Sequence, residues 1–184
     1  MLSRFKFLYA SLFMVSLCFA PAQASGKSAT AKKAPTTDAS GILESVIPHL
    51  INDKGEKIDY KEIKDKAFVV YYFSAAWCGP CRRFTPKLVD YYNENGGKEN
   101  FEVIFVSGDK SKEKMLEYMT SKKMPWVAVD HQKRGGEIKK IRPRGIPHLV
   151  LVNKKGEILA RGQNNVLTKL STLLPKKEEK KSEG

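Results

Sequence analysis

Cysteine is scarce in this chain and unevenly placed. The 184 residues carry three, Cys18, Cys78 and Cys81, and lack the second Cys-x-x-Cys pair that a structural zinc site normally requires. The histidines, His49, His131 and His148, are too scattered to substitute for it. Covalent haem attachment is excluded as well, because Arg82 stands after Cys81 where that chemistry needs a histidine. No flavin or nicotinamide fingerprint appears, so no cofactor and no metal are expected. After the first residues no apolar run approaches the roughly 20 residues that cross a bilayer. Acidic residues are in the minority, 20 against 33 Lys and Arg, for a net charge of +13. Much of that excess lies in Lys27, Lys32 and Lys33 and in Lys176-Lys177-Glu178-Glu179-Lys180-Lys181. The lysines are not interleaved with aromatic residues and no nucleic-acid motif is present, so no nucleic-acid partner is expected. Solvated tails are the plain reading of the excess, and a weak attraction to an anionic envelope surface is the alternative.

The amino-terminal segment has the pattern of an export signal. Arg4 and Lys6 form a short basic region, Phe7 to Ala20 an apolar core, and Ala22-Gln23-Ala24 a small-x-small cleavage site. Residues 1–24 are therefore expected to be removed, with an uncleaved anchor as the alternative. Cys18 is discarded with them. The remainder is of single-domain size and keeps only Cys78 and Cys81. An exported scaffold that relied on disulfides would distribute more pairs along the chain.

Residues 25–41, rich in Ala, Ser, Thr and Lys, are expected to form a disordered linker. Residues 42–175 make the domain, and 176–184 a charged disordered tail. Asn52-Asp53-Lys54-Gly55 reads as a turn, Tyr60 to Lys66 as a short helix, and Phe68–Phe73 as a buried strand. Phe84, Leu88, Tyr91 and Tyr92 recur at helical spacing. Phe101–Val106 is a second strand, followed by Asp109 and Ser111 as candidate caps of a helix carrying Met115, Leu116, Tyr118 and Met119. Trp126–Val129 is a short strand. Leu149–Val152 and Glu157–Ala160 flank Asn153-Lys154-Lys155-Gly156 as a hairpin, and a last helix with Val166, Leu167, Leu170, Leu173 and Leu174 ends at Pro175. This order implies a mixed β-sheet with helices on both faces.

The strand Phe68–Phe73 and the helix that follows bracket Trp77-Cys78-Gly79-Pro80-Cys81-Arg82. Cys78 thus stands at a helix start, where unpaired amides and the helix dipole favour a thiolate. Cys81 lies one turn on, within reach of a mixed disulfide formed at Cys78. The pattern reads as thiol–disulfide exchange. A purely structural bridge is the bland alternative, but closing a loop of about four residues stabilises by only about 2 kcal/mol on the chain-entropy model.

Residues 42–175 resemble the thioredoxin superfamily. The resemblance rests on Trp77-Cys78-Gly79-Pro80-Cys81, on Pro86 five residues beyond, and on Arg144-Gly145-Ile146-Pro147 before the Leu149–Val152 strand. Within the superfamily, Tyr71-Tyr72-Phe73-Ser74-Ala75-Ala76-Trp77-Cys78, Arg82, Phe84-Thr85-Pro86 and Lys123-Met124-Pro125-Trp126 are most similar to the tryparedoxin and nucleoredoxin branch. The resemblance implies a thioredoxin-like α/β fold, an exposed nucleophile at Cys78 and a resolving thiol at Cys81. It also implies a cis Ile146–Pro147 bond and a client-binding surface made by Trp77, Gly79, Pro80, Ile146 and Pro147. Pro86 is expected to kink its helix. The pair is expected to be reducing, since oxidising members carry a histidine between the cysteines. Thioredoxins have a buried acid six positions before the nucleophile; Tyr72 stands there instead. His148, next to Pro147, is expected to be an ordinary strand residue, with a place beside the thiols as the alternative. The function implied is an exported disulfide reductase, monomeric, periplasmic if the source is a Gram-negative bacterium and secreted otherwise. Its partners would be disulfide-containing client proteins and an upstream, membrane-borne electron donor. An oxidase or isomerase, or a non-catalytic client-binding module, are the alternatives.

Overall fold

The computed structural model describes residues 39–175, and among them the β-prone apolar runs assemble into one sheet. Its strands are β1 (Leu50–Ile51), β2 (Phe68–Ser74), β3 (Phe101–Ser107), β4 (Val127–Val129), β5 (His148–Asn153) and β6 (Ile158–Arg161). The order across the sheet is β1-β4-β3-β2-β5-β6. β2, β3 and β4 run parallel, while β1, β5 and β6 pair antiparallel with their neighbours. The α-helices are α1 (Ile42–Val46), α2 (Gly79–Glu94), α3 (Lys112–Ser121) and α4 (Gln163–Leu173). The expected leader, most of the linker and the tail 176–184 lie outside the described residues.

Every residue of β3 is buried, as suits a strand covered on both faces. Alternate residues of β2 feed two cores. Val70 and Tyr72 pack with Phe105 and with Leu88 and Tyr92 of α2, Met115 and Met119 of α3, and Val166 and Leu170 of α4. Val69, Tyr71 and Phe73 face the other way, against Ile42 and Val46 of α1 and Ile138 and Ile141. Those two isoleucines belong to a 3-10 helix, Gly136–Ile141, which has no counterpart among the elements expected from the sequence. The segment expected as a short helix at Tyr60–Lys66 is a 3-10 helix over Lys61–Asp65.

Two turns are built alike. Asn52 Oδ1 accepts from the N–H groups of Lys54 and Glu56, and Asn153 Oδ1 accepts from those of Lys155 and Glu157, all at 3.0 Å. Gly156 has φ of 81°, and a Cβ there would lie 2.5 Å from the Ser40 backbone, so only glycine fits. This close approach corrects the linker boundary. Ala39 is buried and its N–H donates to the Gly156 carbonyl at 2.8 Å, which ties residues 39–41 to the domain.

Glu102, near the amino end of β3, is a buried carboxyl. The hydroxyls of Tyr60 and Tyr92 donate to its two oxygens at 2.6 and 2.9 Å, and the Val103 N–H donates at 2.9 Å. These bonds favour the carboxylate, but desolvation outweighs them and raises the pKa above its ordinary 4.5. The folded protein therefore holds this proton at higher pH than the unfolded chain. The resulting stability is complete below the unfolded pKa and is lost as pH rises through the folded one. Glu102→Gln keeps the shape and removes the titration. In urea unfolding between pH 4 and pH 8, the variant should lose less stability with rising pH than the parent. Superimposable pH profiles would contradict the assignment.

Candidate active site

The carboxyl end of β2 turns into α2 through Ala75-Ala76-Trp77-Cys78, and several bonds fix this junction. The Gly108 N–H donates to Ser74 O at 2.7 Å and the Cys78 N–H to Ala75 O at 3.2 Å. The Ala76 N–H donates to Asp109 Oδ1 at 2.9 Å, while Ser107 Oγ donates to Asp109 Oδ2 at 2.8 Å. Asp109 was a candidate helix cap from the sequence. It instead braces the cysteine loop, and Ser111 alone caps α3, accepting from the Lys114 N–H at 3.3 Å.

Cys78 is the N-cap of α2, and its Sγ accepts the Cys81 N–H at 3.2 Å. The two cysteines are joined as a disulfide, with Cα atoms 5.2 Å apart. Cys78 keeps 6% of its surface exposed and Cys81 none. Cys78 is thus less open than the exposed position expected of it, because Ala75 and Ile146 pack around the pair. It remains the sulfur that faces outward: Cys78, and not Cys81, lines a groove of about 980 Å³.

Trp77, Gly79, Pro80 and Ile146 line the same groove. Trp77 is 63% exposed, so it is a wall of the groove and not a core residue. Its indole N–H donates to Gly108 O at 3.2 Å. The Ile146–Pro147 bond is cis, and the Ile146 carbonyl oxygen lies 3.7 Å from Cys78 Sγ. Pro147 itself is not among the groove residues. α2 runs through Pro86 without a break from Gly79 to Glu94. His148 pairs with Phe73 across β5 and β2. Burial, helped by Arg161, lowers its pKa from 6.5, and it does not line the groove.

Beneath Cys81 lies a set of hydroxyls that the sequence did not announce. Thr85 Oγ1 donates to the Cys81 carbonyl at 2.9 Å, and the hydroxyls of Tyr72 and Tyr118 lie 2.8 and 2.6 Å from it. Since Thr85 has one proton to give, both tyrosines donate to it. Burial pushes the Tyr72 phenol well above its ordinary pKa, so this position supplies a neutral hydroxyl where thioredoxins carry an acid. The network holds the Cys81 backbone. Its signal in the sequence is only the Thr85-Pro86 pair, because Tyr118 comes from a distant helix.

The far wall of the groove comes from residues 131–146. His131 Nε2 is 2.8 Å from Asp109 O, and Arg134 donates to the carbonyls of Ser107 and Asp109 at 2.7 and 2.9 Å. Lys139, Arg142 and Arg144 complete it. No group of three or more His, Cys, Asp or Glu side chains among the described residues is arranged to hold a metal.

A family model described as thioredoxin-like matches residues 66–158. Probable nucleoredoxin 1 of Arabidopsis thaliana is 43% identical over 113 residues, covering 60% of this chain and 19% of that protein. Tryparedoxin of Trypanosoma brucei brucei is 39% identical over 88 residues, 46% of this chain and 60% of its own. Across the first nucleoredoxin relatives the match spans 19% to 27% of their length. Among solved structures, tryparedoxin I of Leishmania major superposes with a TM-score of 0.60 at 30% identity, over 76% of this chain and 100% of that one. The sheet, the cysteine loop at the carboxyl end of its interior strand β2 and these matches agree: the chain belongs to the thioredoxin-like family.

Proposed function

We propose that the protein is a thiol–disulfide oxidoreductase that reduces disulfides of client proteins outside the cytoplasm. One observation carries the reading: Cys78 Sγ caps α2, accepts the Cys81 N–H and faces an open groove, while Cys81 is enclosed behind it. In the reduced protein the Cys78 thiolate attacks one sulfur of a client disulfide, and the other client sulfur leaves as a thiolate. Cys81 then gives up its proton, and its thiolate attacks Cys78 Sγ and releases the second client sulfur. The client gains two electrons and two protons, and the cysteine pair ends as the Cys78–Cys81 disulfide. An upstream dithiol must return those electrons, and for an exported protein it would be membrane-borne. The groove walls of Trp77, Gly79, Pro80 and Ile146 are the surface on which the client rests. The protein acts as a monomer and needs no cofactor.

Export is supported by Arg4 and Lys6, the apolar stretch Phe7–Ala20 and Ala22-Gln23-Ala24. Reduction, as opposed to oxidation, is supported by Gly79-Pro80 between the cysteines, which gives a Cys78 thiolate no side-chain donor beyond the helix amides.

Reduction of a protein disulfide such as insulin in the presence of a dithiol tests the chemistry. Cys78→Ser should abolish turnover, and Cys81→Ser should accumulate mixed disulfides with the client; full activity in the Cys78 variant would sink the mechanism. Equilibration of the wild-type pair with glutathione buffers should give a potential nearer about −270 mV than about −120 mV, and a value at the oxidising end would assign the protein to disulfide formation. Localisation has its own check. Full-length chain produced in a Gram-negative host should appear in the periplasm with Ser25 at its amino terminus, and an intact Met1 form held in the cytoplasm would remove the export reading.

A further inference from the structure

The groove beside Cys78 is charged on one side only. Its far wall carries Arg134, Lys139, Arg142 and Arg144 with His131, and no Asp or Glu lines it. The segment His131–Arg144 contains six Lys or Arg residues against the single acid Glu137, and Glu137 is taken by Lys140. None of Arg134, Lys139, Arg142 or Arg144 forms a salt bridge within the described residues. Arg134 is committed to the structure through the carbonyls of Ser107 and Asp109. Arg142 only approaches the Arg134 carbonyl, at 3.5 Å, and its charge helps lower the Arg134 pKa, after desolvation. Lys139, Arg142 and Arg144 are exposed, and they line a groove to which no acidic residue contributes.

A solvated basic face on a convex surface would ask for no partner. This one is concave and ends at the reactive sulfur, where like charges on low-dielectric walls add to a focused positive potential. Asp109 offsets part of the charge of Arg134 from behind the wall, whereas Lys139, Arg142 and Arg144 have no ion-pair partner among the described residues, so an entering anion relieves their mutual repulsion. We propose that the preferred client is a protein segment whose disulfide cysteine is flanked by Asp and Glu residues, its carboxylates resting on Arg142, Arg144 and Lys139 while its sulfur meets Cys78. This rests on the reading of Cys78–Cys81 as an exchange centre and adds to it a charge rule for the substrate. Carboxylates suit this wall because guanidinium groups grip them in pairs of hydrogen bonds.

The test uses two disulfide-linked peptides of equal length, one with acidic and one with basic residues around the cysteine, and the neutral bis(2-hydroxyethyl) disulfide as a reference. The wild type should reduce the acidic peptide with kcat/KM about tenfold or more above the basic one, and this ratio should shrink as salt rises, as steering by exposed charge requires. Arg142→Glu with Arg144→Glu should reverse the preference. Lys154→Glu with Lys155→Glu makes the same change of net charge in the β5–β6 turn, at the opposite end of the strand from the cysteines, and should leave the preference intact. Arg134 is not used, because its removal would unseat the loop. Turnover of the neutral disulfide with equal rates on both peptides would overturn the charge rule and leave the exchange chemistry standing. A preference that survives the Arg142/Arg144 reversal, or that follows net charge in the Lys154/Lys155 variant, would also overturn it. Inactivity toward all three substrates would instead remove the exchange reading, and the charge rule with it. Salt-sensitive binding of the wild type to anionic phospholipid vesicles that is lost in the Arg142/Arg144 variant, together with equal rates on the two peptides, would assign the wall to a membrane surface and overturn the proposal.

Discussion

A helix that begins at a cysteine must find acceptors for its first amides, and here the nearest one is sulfur. Cys78 occupies the N-cap of α2, the place where an oxygen side chain usually accepts from the second or third amide. Pro80 stands in the first turn and has no amide to give. The donor aimed at Cys78 Sγ is therefore the N–H of Cys81, at 3.2 Å. In the exchange proposed above, Cys81 thus supports Cys78 through its backbone before it acts on it through its side chain. A thiolate accepts this bond more strongly than a thiol does and sits at the positive end of the helix dipole.

That arrangement needs β2 and α2 to meet at a fixed angle, and the neighbouring strand sets it. Parallel strands deliver their carboxyl ends to one edge of the sheet, and ligand sites in such sheets gather there. At this edge Asp109, just beyond β3, accepts the Ala76 N–H, and the Gly108 amide and carbonyl hold Ser74 and Trp77. Below the helix start, Thr85 ties the Cys81 carbonyl to hydroxyls from β2 and α3. Glu102, the other buried carboxyl besides Asp109 among the described residues, lies toward the opposite end of β3, paired in register with Val69.

Much of this was legible in the sequence because it is local. Phe68–Phe73 and Phe101–Val106 declare themselves as strands, Asn153-Lys154-Lys155-Gly156 as a hairpin turn, and the spacing of Leu88 and Tyr92 as a helix face. The cis Ile146–Pro147 bond followed from resemblance. The unread parts depend on contacts between distant residues. Asp109 was read as a cap, since nothing in its neighbours tells that Ala76 would take its carboxylate. The Tyr72–Thr85–Tyr118 hydroxyls meet only after three elements pack. Gly136–Ile141 is a 3-10 helix of six residues whose period matches neither pattern. The basic run from Lys133 to Arg144 was visible as letters, but the charge excess was assigned to the chain ends because no periodicity pointed to a shared wall.

The central claim is that the start of α2 makes the two sulfurs chemically unequal. Thiolate absorbance titrated against pH in the Cys81→Ser and Cys78→Ser variants of the chain from Ser25 onward, which lacks Cys18, measures this directly, since each then retains one thiol and the first retains the amide at position 81. Cys78 should ionise clearly below the free-cysteine value of about 8.5, and the enclosed Cys81 at or above it. Equal values for the two thiols, or a lower one for Cys81, would contradict it.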